Sequence, residues 1–361
     1  MKNIFKLSIL VLAVALFGIE SAEAQRAELK YVDAKTLNII NKLDNDCAPF
    51  SRINAEKYEA YKKLGQASTG LAIVFRTDSR IIEAKWTTLN KHVGNNCTPI
   101  LHNGLDLYIR DKGEWIFAGV GRPKFNSYEH KSTVVNNMAE GTRECMLYLP
   151  MHNLVTSLEL GIEKGAMIEP MESPFKYKIA FIGSSLTHGS SASRPGATYV
   201  ARLGRELNAE MANIGLSGRC KLDTYFANIV SGNEADAFIF DTFSNSTDKI
   251  IEERLYNFVK QITTAHPDKP MIFLQTIKRD IGYFDLGARK RNDNQRAAAE
   301  KYMKDICKQY KNVYFLNPGL ILGDNHEGTV DGTHLNDLGV QRTMDYLLPK
   351  LKKILKKYGI K

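Results

Sequence analysis

Cysteine is scarce, with five in 361 residues and none in a Cys-x-x-Cys pair. Zinc ribbons and thioredoxin-like redox sites need that spacing, so both classes lose support. Five thiols cannot all pair. Cys47 and Cys97 sit in polar, loop-like sequence, and an oxidising compartment would allow a disulfide between them. Cys145, Cys220 and Cys307 lie beside apolar or helical patterns and read as buried thiols. Long apolar runs are missing beyond the first two dozen residues, so nothing there approaches the roughly 20 residues of a membrane helix. Repeats, low-complexity tracts and nucleic-acid motifs are absent too. The net charge of +9 therefore argues for no nucleic acid partner. Much of it collects in Lys350, Lys352, Lys353, Lys356, Lys357 and Lys361, which read as the solvated face of a terminal helix. Attraction to acidic glycans stays open. Also missing is a Gly-x-Ser-x-Gly elbow, which excludes the usual α/β-hydrolase nucleophile turn.

What is present begins with a leader. Lys2 and Lys6 precede an apolar core from Leu7 to Phe17, and Ala22-Glu23-Ala24 forms a small-x-small cleavage site. Residues 1–24 are expected to be a secretory signal, with a mature chain from Gln25 that is exported to the periplasm or beyond. No cysteine marks the cut for a lipid anchor, so stable membrane insertion is not expected. The remaining length suggests two domains, divided at the turn Glu169 to Pro174 with its two prolines. The expected units are 25–170 and 175–361.

Residues 29–60 read as a short helix and polar turns. Strand patterns then follow at 71–79, 81–86, 105–110, 115–119, 144–149 and 155–162, with a hairpin turn at Asp111-Lys112-Gly113. Short strands with close turns and few helices predict a β-sandwich or jelly roll. Beyond the boundary, strand and helix alternate. Strands are expected near 177–183, 210–215, 236–242, 271–276 and 312–316, and helices at 197–208, 247–265, 292–310 and 336–357. These strands are continuous apolar runs, the mark of a parallel sheet covered on both faces. Such sheets bind ligands at their carboxyl ends.

Chemistry concentrates at that edge. Gly183-Ser184-Ser185-Leu186-Thr187-His188-Gly189 reads as strand, tight turn and helix, exposing the Ser185 hydroxyl. Serine is a poor nucleophile unless a base lies within reach and a third group orients the base. Asp331-Gly332-Thr333-His334 offers both: His334 as base and Asp331 as its partner. Asp331 as a helix cap with His334 as surface polarity is the plainer alternative. Negative charge on a tetrahedral intermediate needs donors. The N–H groups of Ser185 and Gly218 and the side chain of Asn245 each follow a strand and fit that need. Arg194 is a candidate for binding an acidic substrate group or for tying its own loop down, and His188 for lining the pocket. Asp106 and Tyr108 read as internal bonding and packing of a hairpin. Asp324, His326, Asp331 and His334 can be read as a metal cluster, but loop and triad duties account for them better. No metal or cofactor is expected.

Residues 177–357 resemble the SGNH (GDSL-like) hydrolase superfamily, whose four motif residues fall on Ser185, Gly218, Asn245 and His334, with Asp331 completing a triad. Two departures stand out: Ser184 where the common form has Asp, and Asp241-Thr242-Phe243-Ser244-Asn245 for Gly-x-Asn-Asp. Both resemble a subgroup marked by Gly-Ser-Ser-x-Thr-x-Gly and a following Ser193-Arg194-Pro195-Gly196. That subgroup also carries an N-terminal β-sandwich with a Gly-x-Asp-Leu-Tyr motif, here Gly104 to Tyr108. The resemblance implies a flavodoxin-like three-layer α/β/α sheet domain behind the sandwich, and an ester-hydrolysing site without cofactor. The expected substrate is a small-molecule or polysaccharide ester with a short acyl group, acetyl foremost. Acyl transfer through the same acyl-enzyme, and glycan binding by a vestigial site, are the rival readings. Oligomeric state is not legible in the chain.

Overall fold

The computed structural model describes residues 28–54, 56–61 and 65–361. The expected signal at 1–24 lies outside them. No helix among the described residues is long and apolar enough to cross a membrane.

Two antiparallel sheets build the N-terminal domain. One orders β1 (Leu29–Asp33), β9 (Val155–Glu163), β4 (Ile82–Thr88) and β7 (Glu129–Val135). The other orders β10 (Ile168–Pro170), β3 (Ala72–Thr77), β8 (Arg143–Tyr148), β5 (Leu105–Asp111) and β6 (Glu114–Gly121), with β2 (Asn38–Ile40) on β3. Along β4, Ile82, Ala84, Trp86 and Thr88 are buried while the residues between them are only half-buried. That is the period of two for a sheet with one face on a core. Trp86 packs in that core with Phe75, Leu147 and Leu160, and its indole N–H donates to the carbonyl of Asn103 at 2.8 Å. By contrast, Ala72 to Phe75 and Leu105 to Tyr108 are buried on both faces. Their second face lies against the other domain, where Tyr108 and Tyr148 join Ala201.

The short helix read within 29–60 is only a 3-10 turn at Ala34–Thr36, with another at Glu59–Tyr61, while β1 and β2 flank the first of them. β1 is a half-exposed edge strand paired with β9, so its own pattern is weak and a distant partner decides its state. Cys47 and Cys97, whose pairing the sequence left open, are both free. The Cys47 thiol donates to the carbonyls of Asp44 and Ser51, each at 3.0 Å. It belongs to its own loop, whereas Cys97 sits in the loop that reaches the second domain.

The second domain carries a parallel sheet ordered β12 (Ala209–Gly215), β11 (Tyr177–Gly183), β13 (Ala237–Asp241), β14 (Met271–Leu274) and β15 (Val313–Leu316). In chain order this is 2-1-3-4-5, the flavodoxin-like arrangement. The short helix α1 (Pro99–Asn103) belongs to the first domain. The second adds α2 (Ser185–His188), α3 (Tyr199–Leu207), α4 (Thr224–Ser231), α5 (Asp248–Ala265), α6 (Leu286–Gln309) and α7 (Asp337–Leu355). Alternation along β11 builds the layers. Ile179 and Phe181 pack toward Leu203 of α3 and Leu347 and Leu351 of α7. Ala180 and Ile182 pack toward Phe226 of α4, Phe258 of α5 and Met303 of α6. In α5 the buried Ile251, Leu255, Phe258, Val259 and Ile262 form one helical stripe. Truncating Phe258 to Ala would cost about 3–5 kcal/mol. α6 begins six residues before its expected start. Asp285 caps it by accepting the N–H of Ala288 at 2.8 Å, but its first turns bury nothing and carry no apolar period.

The domains are joined by a buried ion pair. Arg194 Nη1 lies 2.8 Å from Asp106 Oδ2 and donates to Tyr108 Oη at 2.6 Å, while the Gly196 N–H donates to Asp106 Oδ2 at 2.7 Å. A Cβ on Gly196 would fall 2.4 Å from the Tyr108 ring, so only glycine fits. Asp106 and Tyr108 therefore bond across the domain boundary rather than within their hairpin. Arg194 is occupied by them, which corrects the expectation that it meets substrate.

Candidate active site

Ile179 to Ile182 are fully buried, so β11 can only end where its backbone leaves the sheet. It ends at Gly183, where a Cβ would lie 2.1 Å from Thr187 Oγ1 and 2.9 Å from Asp241 Cβ. Ser184 then caps α2, its hydroxyl oxygen accepting the Leu186 N–H at 3.2 Å. The same hydroxyl donates to Asp241 Oδ2 at 2.7 Å, which also takes Thr187 Oγ1 at 3.1 Å. Asp241 Oδ1 accepts from Ser244 at 2.9 Å. Asp241 stands opposite Gly183 on the adjacent strand. A carboxylate thus reaches this turn from β13 rather than from position 184. Burial pushes the Asp241 carboxyl up, against the pull of the Ser184, Ser244 and Thr187 hydroxyls.

Ser185 comes next, and its Oγ lies 2.8 Å from His334 Nε2. His334 Nδ1 lies 2.7 Å from Asp331 Oδ2, so the two ring nitrogens face two different partners, as a base with a fixed tautomer requires. Asp331 Oδ1 accepts the backbone N–H groups of Thr333 at 3.1 Å and His334 at 2.8 Å. Burial alone would raise this carboxyl. The His334 backbone N–H, the imidazole and the Asn96 side chain outweigh it and hold the group at about 2. It is therefore ionised across the neutral range.

Gly218 and Asn245 leave the carboxyl ends of β12 and β13, the two strands that flank β11. All three oxyanion candidates thus emerge from one edge of adjacent strands. Gly218 has φ +73°, and a Cβ there would meet nothing within 4 Å. Its glycine serves the left-handed backbone and leaves open space above it. The carboxamide oxygen of Asn245 is buried without a partner. The turn around it is held, with Gln295 donating to the Ser246 carbonyl at 2.6 Å and Ser246 Oγ to Thr242 O at 3.0 Å. The turn leaves Asn245 unclaimed, as it does Thr242 Oγ1, which is also buried without a partner; receiving an oxyanion would fall to the amide N–H of Asn245, since its oxygen only accepts.

His188 does not line the site as expected. It is buried, with Nδ1 3.0 Å from Ser217 Oγ and Nε2 2.7 Å from the Met151 carbonyl. It joins a row of imidazoles, tilted against His152 at 4.1 Å, which in turn stacks 5.4 Å from His102. Burial first, then the charges of His102, Arg52 and His334, pulls His152 down to about 3. His326 stands apart from Asp331 and His334, against Asp280 at 3.3 Å and the Tyr283 ring at 4.1 Å.

One residue near the catalytic groups had no sequence signal. Asn96 of the N-terminal domain donates from Nδ2 to Asp331 Oδ2 at 3.1 Å. Its only visible mark in the chain is a polar loop. A groove of about 710 Å³ lies elsewhere, on the sandwich face lined by Lys85, Glu129, Lys131 and Glu159, and holds none of these groups.

The chain belongs to the GDSL-like lipase/acylhydrolase family, whose model matches residues 176–352. Residues 29–168 match the model for the N-terminus of SGNH-hydrolase-type esterases. A Bacteroides ovatus crystal structure described as a GDSL-like lipase is 41% identical, covering 91% of this chain and 98% of its own, with a TM-score of 0.88. A salicylyl-acyltransferase from a tetracycline biosynthetic pathway is similar at 19% identity over 90% of this chain and 97% of its own, TM-score 0.70. A family two carbohydrate esterase from Cellvibrio japonicus is similar at 14% identity over 91% of this chain and 99% of its own, TM-score 0.61. At such identities these last two show the shared fold alone. No curated protein matches the chain.

Proposed function

We propose that this chain is an exported serine esterase that removes short acyl groups, acetyl foremost, from carbohydrate. The observation that carries the reading is the continuous relay from Ser185 Oγ through His334 to Asp331, at 2.8 and 2.7 Å. Ser185 Oγ attacks the ester carbonyl carbon as its proton passes to His334 Nε2. Asp331 holds the imidazolium, and the N–H groups of Ser185 and Gly218 with Asn245 receive the oxyanion. The carbonyl re-forms as the C–O bond to the alcohol breaks, and His334 returns the proton to the departing oxygen. A water then gives its proton to His334 and attacks the acyl carbon. Collapse frees the carboxylic acid and restores the Ser185 hydroxyl. No step calls for a metal or a cofactor.

A short acyl group is favoured because the sequence shows no stretch that reads as a long apolar lid. The carbohydrate half rests on the family and on the sandwich, an architecture many proteins use for sugars. Hydrolysis of p-nitrophenyl acetate, then acetate release from acetylated polysaccharides, tests both halves. Wild-type turnover lost in Ser185→Ala supports the serine mechanism, and equal rates in the two would remove it. A strong rate gain on adding free sugar acceptors would move the reading to acyl transfer.

A further inference from the structure

The two domains touch at the catalytic pair itself. Asn96 Nδ2 lies 3.1 Å from Asp331 Oδ2 and 3.2 Å from His334 Nδ1. Since His334 Nδ1 faces Asp331 across 2.7 Å, its N–H points there, and the amide can only donate to the same carboxylate oxygen. Asp331 Oδ2 thus takes two donors and Oδ1 takes two backbone N–H groups, which fills a carboxylate's four acceptor sites.

The loop that carries Asn96 is gripped from the second domain. Ser191 Oγ donates to the Asn96 carbonyl at 2.8 Å. Ser191 holds the left-handed region at φ +73°, a conformation that costs a non-glycine residue about 1 kcal/mol or more. Two residues on, Thr98 Oγ1 donates to the Ser193 carbonyl at 2.7 Å while capping α1 through the Leu101 N–H at 3.0 Å. Asn96 is therefore held at its own carbonyl and two residues on, rather than hanging into solvent.

We propose that Asn96 is a positioning residue through which the N-terminal domain sets the orientation and effective charge of the Asp331–His334 pair. The inference rests on the serine-esterase reading. By drawing on Asp331 Oδ2, the amide limits how much negative charge the imidazole sees, and it fixes the plane of the carboxylate. The other ionisable groups facing the pair are the Cys97 thiol beside Asn96 and His152 from the loop after β8. Neither supplies a charge at neutral pH. The hydrolase domain then lacks one hydrogen-bond partner of its own triad unless the sandwich is docked.

Kinetics on the full chain test this with Asn96→Ala, Asn96→Asp and a neighbouring control, Asn95→Ala. The acid limb of kcat/KM reports the imidazole–carboxylate pair as a unit. Removing the donor leaves more negative charge on the carboxylate that faces the imidazole, so the pair holds its proton to higher pH. The limb should rise by about half a unit in Asn96→Ala and by about one unit in Asn96→Asp. kcat for p-nitrophenyl acetate should fall about tenfold in Asn96→Ala with KM within about twofold. Asn95→Ala should change nothing. Asn96→Asp keeps the side-chain shape and carries the test alone if the alanine variant misfolds. Unchanged limbs in both Asn96 variants overturn the proposal, as does loss in all three variants in step with their Tm. Retained turnover in Ser185→Ala would instead sink the esterase reading on which it stands.

Discussion

Asp106 is wholly buried, its side chain 0% exposed, whereas Asp331 keeps 36% of its side chain in solvent. Each pairs with a basic group at hydrogen-bond distance, Arg194 at 2.8 Å and His334 at 2.7 Å. Burial pushes the Asp106 carboxyl up despite Arg194 and the Gly196 N–H. Burial also lowers Arg194 by itself, but the Asp106 charge and the Tyr108 hydroxyl outweigh it and hold the guanidinium protonated. At Asp331 the donors win over burial and the carboxyl drops to about 2. One pair is a fixed joint between domains. The other keeps a partner that can gain and lose a proton, and it is the half-open one. Similar distances therefore say little about role, while solvent and the chemistry of the partner say a good deal.

Substitution can break this contrast. Ser185→Ala should reduce turnover at least about 10,000-fold, and Asp331→Asn by a similar factor through loss of the imidazole's orientation. Ser185→Ala should keep the wild-type Tm, and Asp331→Asn should lose only the modest stability that the depressed carboxyl adds. Arg194→Ala should do the reverse. It strands a buried carboxylate and destabilises the fold by about 3 kcal/mol, seen as a lower urea midpoint, with any activity loss following the folded fraction. Asn245→Ala should depress kcat about 100- to 1000-fold without moving the urea midpoint, since its carboxamide oxygen has no partner to lose. The smallest effect is in acid. Asp331 lies below its ordinary 3.8 when folded, so it adds stability above that value and loses it as pH falls toward about 2. The raised Asp106 carboxyl acts in the opposite sense, its contribution lost as pH rises through its shifted value. Urea titrations stepped from about pH 4 to 2 should show wild type losing more stability than Asp331→Asn. Equal losses would mean that Asp331 is not depressed in the folded state.

Most of the second domain was legible because its signals are local. The apolar runs at 177–183 and 313–316 announce buried parallel strands, and the stripe of α5 announces its own face. Ser185, Gly218 and Asn245 could be marked because each sits just after a strand pattern stops, and His334 because it stands three residues from Asp331 at a turn into the last helix. Several features escaped. β1 drew no strand assignment because an edge strand with one partner has little pattern of its own. The start of α6 was missed because an exposed helix held by a cap shows no apolar period. Arg194 was left between substrate and its own loop, and His188 was offered to the pocket, because the chain shows a residue's chemistry but not which neighbours have already claimed it.

The amino-acid order alone determined the sandwich and the parallel sheet, since alternation and apolar continuity are written residue by residue. It also placed a candidate nucleophile, base and carboxylate at turns. Only the folded chain decided that Asp106 meets Arg194, that a carboxylate from β13 serves the turn at Ser184, and that Asn96 touches Asp331. These contacts join residues far apart in sequence and have no period, because they depend on how two finished domains dock. Local pattern can mark which residues are able to react, but docking geometry settles which of them face each other.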